Sequence, residues 1–360
     1  MSKKIGIVTG GGDCPGLNAV IRAVVKAAAR RGWETIGIIG GYEGLLPPQN
    51  LRPLDYHALD GLLLRGGTIL GTANRGRFSA KVGHGETRGL PDELLAETKQ
   101  GFDSLGLHAL VSIGGDGSLS IAQQLYEYGI PIVGVPKTID NDLAATIMTF
   151  GFDSAVACAT DALDRLHTTA ESHQRVMVLE VMGRYAGWIA IYSGVAGGAD
   201  VILIPEIPFT YESICAKIAE REQAGKHFTI VAAAEGARPA GGEFVTAAGQ
   251  QQNREARLGG VGAQVAAEIE KRTGKETRVV VLGHLQRGGS PTNLDRALCT
   301  VFGAKAVELI AEGRFGQMVA YTGPQVIGVK ISEAVGKLRT VPLDGGFVQS
   351  ARALGICLGD

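Results

Sequence analysis

The feature that most constrains this chain is a recurrence of short, unbroken apolar runs that end at Gly, Thr or Pro and alternate with helix-period stretches. Ile5 to Thr9, Thr35 to Ile39, Ala109 to Ile113 and Pro131 to Val135 are such runs. Continuous apolarity over four to eight residues, without polar alternation, predicts strands covered on both faces, and that burial belongs to parallel sheets flanked by helices. Asn18 to Arg31 reads as one of those helices, so the first half is a doubly wound α/β sheet. A second series follows, with strands expected at Arg175 to Met182, Val201 to Ile204, Phe228 to Ala233 and Thr277 to Leu282. Tyr211 to Ala224 and Gly260 to Arg272 have the helical period between them. A length of 360 residues exceeds one ordinary domain, which agrees with two α/β lobes.

In open α/β sheets ligands bind beyond the carboxyl ends of the strands, so chemistry is expected just after each run. The first such segment is TGGGDCPGLN, Thr9 to Asn18, where successive glycines let backbone N–H groups face a phosphate at a helix start. It is neither a Walker loop, because Leu17 follows Gly16 where Lys is required, nor a dinucleotide fingerprint, because Pro15 replaces a glycine. SIGGDGSL, Ser112 to Leu119, sets Asp116 between glycines as a hard oxygen ligand suited to Mg²⁺. PKTIDNDL, Pro136 to Leu143, carries Asp140 and Asp142 two apart; in an extended stretch both would project to one side, one as base while the other helps hold Mg²⁺ or tunes its partner.

Arg175, Arg184, Arg278, His284 and Arg287 form a dispersed basic set. Lys plus Arg total 35 against 36 Asp plus Glu, so nothing pulls the whole protein toward nucleic acid or anionic membrane. Arginine forks in a near-neutral protein point to a phosphorylated small molecule. The five cysteines form no CxxC pair, and no apolar stretch approaches the ~20 residues that cross a bilayer. A cytoplasmic, membrane-free protein is expected. Residues 236–262, rich in Gly, Ala and Gln, read as a long loop.

In this order and spacing, these segments together with RGGTILGT (Arg65 to Thr72), SHQRVMVLEVMGRYAG and GHLQRGG closely resemble the phosphofructokinase family, over Ile5 to about Ala311. The resemblance implies two Rossmann-like three-layer lobes with mostly parallel sheets. The donor lobe would comprise residues 1–151 and about 286–336, and the sugar-phosphate lobe 152–285 and about 337–360. It implies transfer of phosphate from MgATP to the C1 hydroxyl of fructose 6-phosphate, with Mg²⁺ on Asp116. Donor contacts would be Gly11, Gly115, Asp116, Gly117, Ser118, Lys137 and either Arg75 or Arg77. Asp140 would be the base, with Thr138 and Asp142 supporting it and Arg184 stabilising the transferring group. Thr138, Ile139, Asp140, Met182, Gly183, Arg184, Glu235, His284, Leu285, Gln286 and Arg287 would line the sugar-phosphate site. Arg175 and Arg278 would reach it from a neighbouring subunit of a homodimer or homotetramer.

Where the short bacterial enzymes have GSAR the chain reads GTANRGRF, and where two of their effector-binding arginines stand it has Tyr56 and His167, although Arg22 and Lys26 remain. The 236–262 loop points to a longer subgroup with ATP-using and pyrophosphate-using members. Gly117 favours ATP, because pyrophosphate enzymes commonly have Asp there; Lys137 is compatible with either donor. A pyrophosphate-dependent transferase is the alternative, and a non-catalytic regulatory subunit the distant one. NAD kinases and lipid kinases share only the GGDG signal.

Overall fold

The computed structural model describes residues 3–73, 76–78, 81–82, 86–87, 89–242 and 259–360. These form two compact units, one of residues 1–154 and 287–338, the other of residues 155–286 and 339–360.

The first unit is built on a seven-stranded sheet. Its strands are β1 (Lys4–Thr9), β2 (Glu34–Ile38), β3 (Leu51–Pro53), β6 (Ala109–Gly114), β7 (Ile132–Pro136), β12 (Gln317–Tyr321) and β13 (Val326–Lys330); a separate two-stranded ribbon of β4 (Lys81–Val82) and β5 (Glu86–Thr87) comes between β3 and β6 in the chain. The sheet order is β13-β12-β7-β6-β1-β2-β3. The five inner strands are parallel, and β3 and β13 close the edges antiparallel. Val8, Leu110, Ile132 and Met318 share a core with α2 (Asp92–Ser104), α3 (Asp116–Glu127) and the short α9 (Ile331–Ala334). Strand alternation sends their neighbours to the opposite face, where α1 (Leu17–Ala29) and α8 (Asn293–Ala311) pack on each other and on the sheet. Their crossing is tight: a Cβ on Gly303 of α8 would lie 2.6 Å from Ala23 Cβ of α1.

The order places a topological switch at β1. From β1 the chain crosses through α1 to β2 on one side, and β6 later takes the place on the other side of β1. The loops after β1 and β6 therefore lead to helices that diverge, leaving a crevice at the carboxyl ends of these two strands.

Helix α4 (Phe152–His173) carries the chain into the second unit. There β8 (Val176–Val181), β9 (Val201–Leu203), β10 (Thr229–Ala234) and β11 (Thr277–Val281) form a fully parallel sheet in the order β11-β8-β10-β9. Val178, Val231 and Leu203 pack against α6 (Tyr211–Gln223) and α7 (Val261–Thr273). On the other face α5 (Trp188–Ala196) covers β9 and β10, and α10 (Gly346–Ala353) packs on α5. Both units are thus three-layered α/β folds with parallel-dominated sheets, as the apolar runs predict. Each expected strand and helix is present within a residue or two. Most of the expected 236–262 loop, residues 243–258, lies outside the described residues.

Candidate active site

The switch crevice of the first unit is lined by glycine. Gly11 has φ 76, in the left-handed region that favours glycine, and a Cβ on Gly10 would lie 2.6 Å from Ser118 Oγ. The loop is stitched in place from RGGTILGT. Asn18 donates to the carbonyls of Arg65 and Gly66 and accepts from Ile69 N–H, Thr9 Oγ1 donates to Gly71 O, and Thr72 Oγ1 donates to Gly11 O. Helices α6 and α8 start with threonine side chains that cap their N–H groups, but α1 and α3 start at Gly16 and Gly115 with no side-chain cap. At α3 this leaves first-turn N–H groups aimed toward the loop after β1, a suitable seat for an anion.

Two cations sit over this loop. Lys137, only 4% exposed, donates to Gly12 O. Its Nζ lies 3.5 Å from where a Gly11 Cβ would be and 4.0 Å from where a Gly115 Cβ would be. Arg287 donates through Nη1 to Asp13 O at 3.2 Å, and the same nitrogen is 2.7 Å from a Cβ built on Gly12. Asp116 Oδ1 accepts from Gly336 N–H at 2.9 Å. Burial pushes the Cys14 thiol up to about 12, so it stays a neutral packing group.

The TIDND segment follows β7 and is joined to the GGDG strand end by a bond from Lys137 N–H to Gly114 O. It is a turn, and this corrects the extended stretch expected from the sequence: Asn141 has φ 51, so strand alternation does not set the directions of Asp140 and Asp142. Asp140 N–H donates to Thr138 Oγ1 at 3.1 Å. Asp140 Oδ1 is buried and has no hydrogen-bond partner among the described residues.

In the second unit three adjacent strands end together. Met182 follows β8, Glu235 follows β10 and Leu282 follows β11, tied by Glu235 N–H to Val181 O and Leu282 N–H to Glu180 O. The half-buried Arg184, its guanidinium 5.8 Å from the Tyr185 ring centroid, and the exposed His284 extend from these ends. Gly236 is required by a close approach, since a Cβ there would lie 1.9 Å from Arg184 O. Arg175 and Arg278 are at the opposite, amino-terminal edge of the same sheet. Both bind Glu276, Arg175 through Nε at 2.6 Å and Arg278 through Nη2.

Other candidates fall into supporting places. Ile139 is fully buried, which leaves only its backbone for a ligand. Gln286 is also fully buried and accepts from Met182 N–H at 2.8 Å, whereas Leu285 is 69% exposed. Arg77 pairs with Glu97, whose hydrogen bond holds the guanidinium above its ordinary pKa; Arg75 lies outside the described residues. No local signal marks Gly336, 220 positions from the Asp116 it holds, or Glu180, a buried carboxylate that accepts from Gly260 and Gly262 N–H at the start of α7.

The model of the family described as Phosphofructokinase matches residues 4–310. The chain belongs to the phosphofructokinase family. A relative from Chloroflexus aurantiacus, named ATP-dependent 6-phosphofructokinase, is 53% identical and covers 99% of this chain and 98% of its own. Another from Amycolatopsis methanolica, named pyrophosphate--fructose 6-phosphate 1-phosphotransferase, is 51% identical over 94% of this chain and 96% of its own. Among solved structures, the Pichia pastoris phosphofructokinase in the T-state superposes with a TM-score of 0.80 at 32% identity, covering 93% of this chain and 35% of that longer one. These phosphofructokinase relatives carry both donor types in their names. The choice of donor therefore rests on residues of the site.

Proposed function

We propose that the protein is an ATP-dependent 6-phosphofructokinase. The observation that carries this reading is the buried Asp140 Oδ1, without a partner among the described residues, on a turn joined to the glycine-lined crevice of β1 and β6. Leaving a buried polar atom unpaired costs about 1–3 kcal/mol, and more for a charged group, so an unpaired carboxylate oxygen is expected where a substrate hydroxyl completes the set. In the reaction, the C1 hydroxyl oxygen of fructose 6-phosphate bonds to the γ-phosphorus, the bond from that phosphorus to the β-phosphate oxygen breaks, and Asp140 takes the hydroxyl proton. ADP and fructose 1,6-bisphosphate leave. No covalent enzyme intermediate is needed, because positioning and electrostatic stabilisation suffice for phosphoryl transfer.

Gly11, Gly115, Gly117 and Ser118 are the donor-phosphate seat, with Lys137 as a point charge over it. The donor set suits Mg²⁺: Asp116 keeps one carboxylate oxygen beyond its bond to Gly336, and Mg²⁺ is usually held by one or two carboxylates plus substrate phosphates. No group of three or more His, Cys, Asp or Glu forms a metal cage among the described residues, in keeping with a metal brought in with the nucleotide. When bound, Mg²⁺ neutralises charge on the donor phosphates. Thr138 and Asp142 support the base. Met182, Gly183, Arg184, Glu235, His284 and Arg287 are the sugar-phosphate and transition-state contacts. Arg175 and Arg278, paired with Glu276 at the far edge of their own sheet, serve the site of a neighbouring subunit in a homo-oligomer. The five cysteines without disulfides and the lack of any membrane-crossing helix among the described residues support a cytoplasmic setting.

Gly117 favours ATP, since it leaves the second position of α3 without a side chain to crowd or repel a nucleotide. The test is turnover at saturating fructose 6-phosphate and Mg²⁺ with ATP or pyrophosphate given separately. Faster turnover with ATP is expected; turnover with pyrophosphate alone would overturn the choice of donor.

A further inference from the structure

Resting on the reading of Asp140 as the base, we propose that Thr149 is a positioning residue for phosphoryl transfer, clasping the TIDND turn so that Asp140 stays aimed at the acceptor hydroxyl. Thr149 is fully buried and eight residues beyond Asn141, outside every motif that marks the site. It holds the turn at both ends. Its Oγ1 donates to Thr138 O at 2.7 Å, and its backbone N–H donates to Asn141 Oδ1 at 3.0 Å. Asp140 lies between the two residues so held.

The turn has reason to relax if released. Asn141 is in the left-handed region, which is costly for a residue with a side chain even though Asn tolerates it better than most. Asp140 Oδ1 is buried without a partner among the described residues, so a small rotation of the turn that found it a donor would be favourable. Thr149 is itself anchored, because the next residue, Phe150, is fully buried and bridges Lys137 at the end of β7. The clasp thus transfers the rigidity of the sheet to the one carboxylate that must remain available. Displacing a catalytic group by about an ångström costs on the order of 10²-fold in rate.

The test compares Thr149→Val, which keeps shape but loses the hydroxyl, with Thr149→Ser, which keeps the hydroxyl. Asn141→Gly, which tolerates the left-handed backbone but loses the acceptor, is the second perturbation. Thr149→Val and Asn141→Gly should lower kcat by about 10- to 100-fold while both substrate KM values stay within about twofold. Thr149→Ser should recover most of the loss. Wild-type kcat in folded Thr149→Val, or a loss that Ser does not recover, would overturn the clasp. Asp140→Asn is run alongside: if it is inactive, such results count against Thr149 alone, whereas near-normal kcat in Asp140→Asn removes the base reading and the clasp together.

Discussion

Gly12→Ala isolates the part played by Arg287. Gly12 has no left-handed backbone, so alanine is conformationally acceptable there, but its Cβ would lie 2.7 Å from Arg287 Nη1 and 3.2 Å from Cζ. Ordinary contact begins near 3.4 Å, so the guanidinium must retreat by about 0.7 Å. Its bond to Asp13 O is already 3.2 Å long and should break. The obstacle is the end of a flexible side chain, so the fold should lose less than about 1 kcal/mol, which is within about 2–4 °C in Tm. A displaced charged hydrogen bond to phosphate is worth about 1.5–3 kcal/mol, which converts to an increase of about 10- to 150-fold in KM for fructose 6-phosphate. Steady-state kinetics with each substrate varied in turn, together with thermal melts, reads both numbers. An unchanged KM for fructose 6-phosphate would refute the reasoning, and a rise confined to the donor KM would move Arg287 from sugar phosphate to donor phosphate.

Three further outcomes are expected. Mixing Arg175→Ala with Asp140→Asn should restore part of the activity, because some sites of the hybrid hold both intact residues; inactive hybrids verified by mass spectrometry would mean each site is built from one chain. Gly117→Asp should nearly abolish use of ATP, as the carboxylate would face the nucleotide's α-phosphate at the start of α3; retained ATP turnover would remove Gly117 from donor choice. Burial, with Lys3 nearby, lowers the pKa of His108 from its ordinary 6.5, so below pH 6.5 the unfolded chain takes up a proton that the native state refuses. Stability from this group is therefore complete above pH 6.5 and lost as pH falls toward the native value, a slope in Tm that His108→Asn should lack when melts are compared across that range.

What the linear order of residues determined by itself was the local chemistry. Runs such as Ile5 to Thr9 and Ala109 to Ile113 are apolar on both faces, and only parallel strands between helix layers satisfy them. The glycines of TGGGDC and GGDG declare close backbone approach wherever they fall, and Asp116 and Asp140 follow strands at ligand-bearing ends. Strand β13 was not legible, because its half-buried residues VIGVK become an antiparallel edge only once β12 is beside them. Nor was the shape of TIDND, where alternation suggests an extended stretch and the left-handed Asn141 makes a turn. That outcome depends on Thr149 reaching back to Thr138 and Asn141, just as the place of Asp116 depends on Gly336 and that of Arg287 on Asp13, 274 residues away. Hydrogen bonds between distant segments leave no trace in local periodicity or propensity. The tertiary structure alone decided which carboxylate oxygen stays without a partner, because burial and hydrogen-bond satisfaction are properties of the packed chain and not of any one stretch of it.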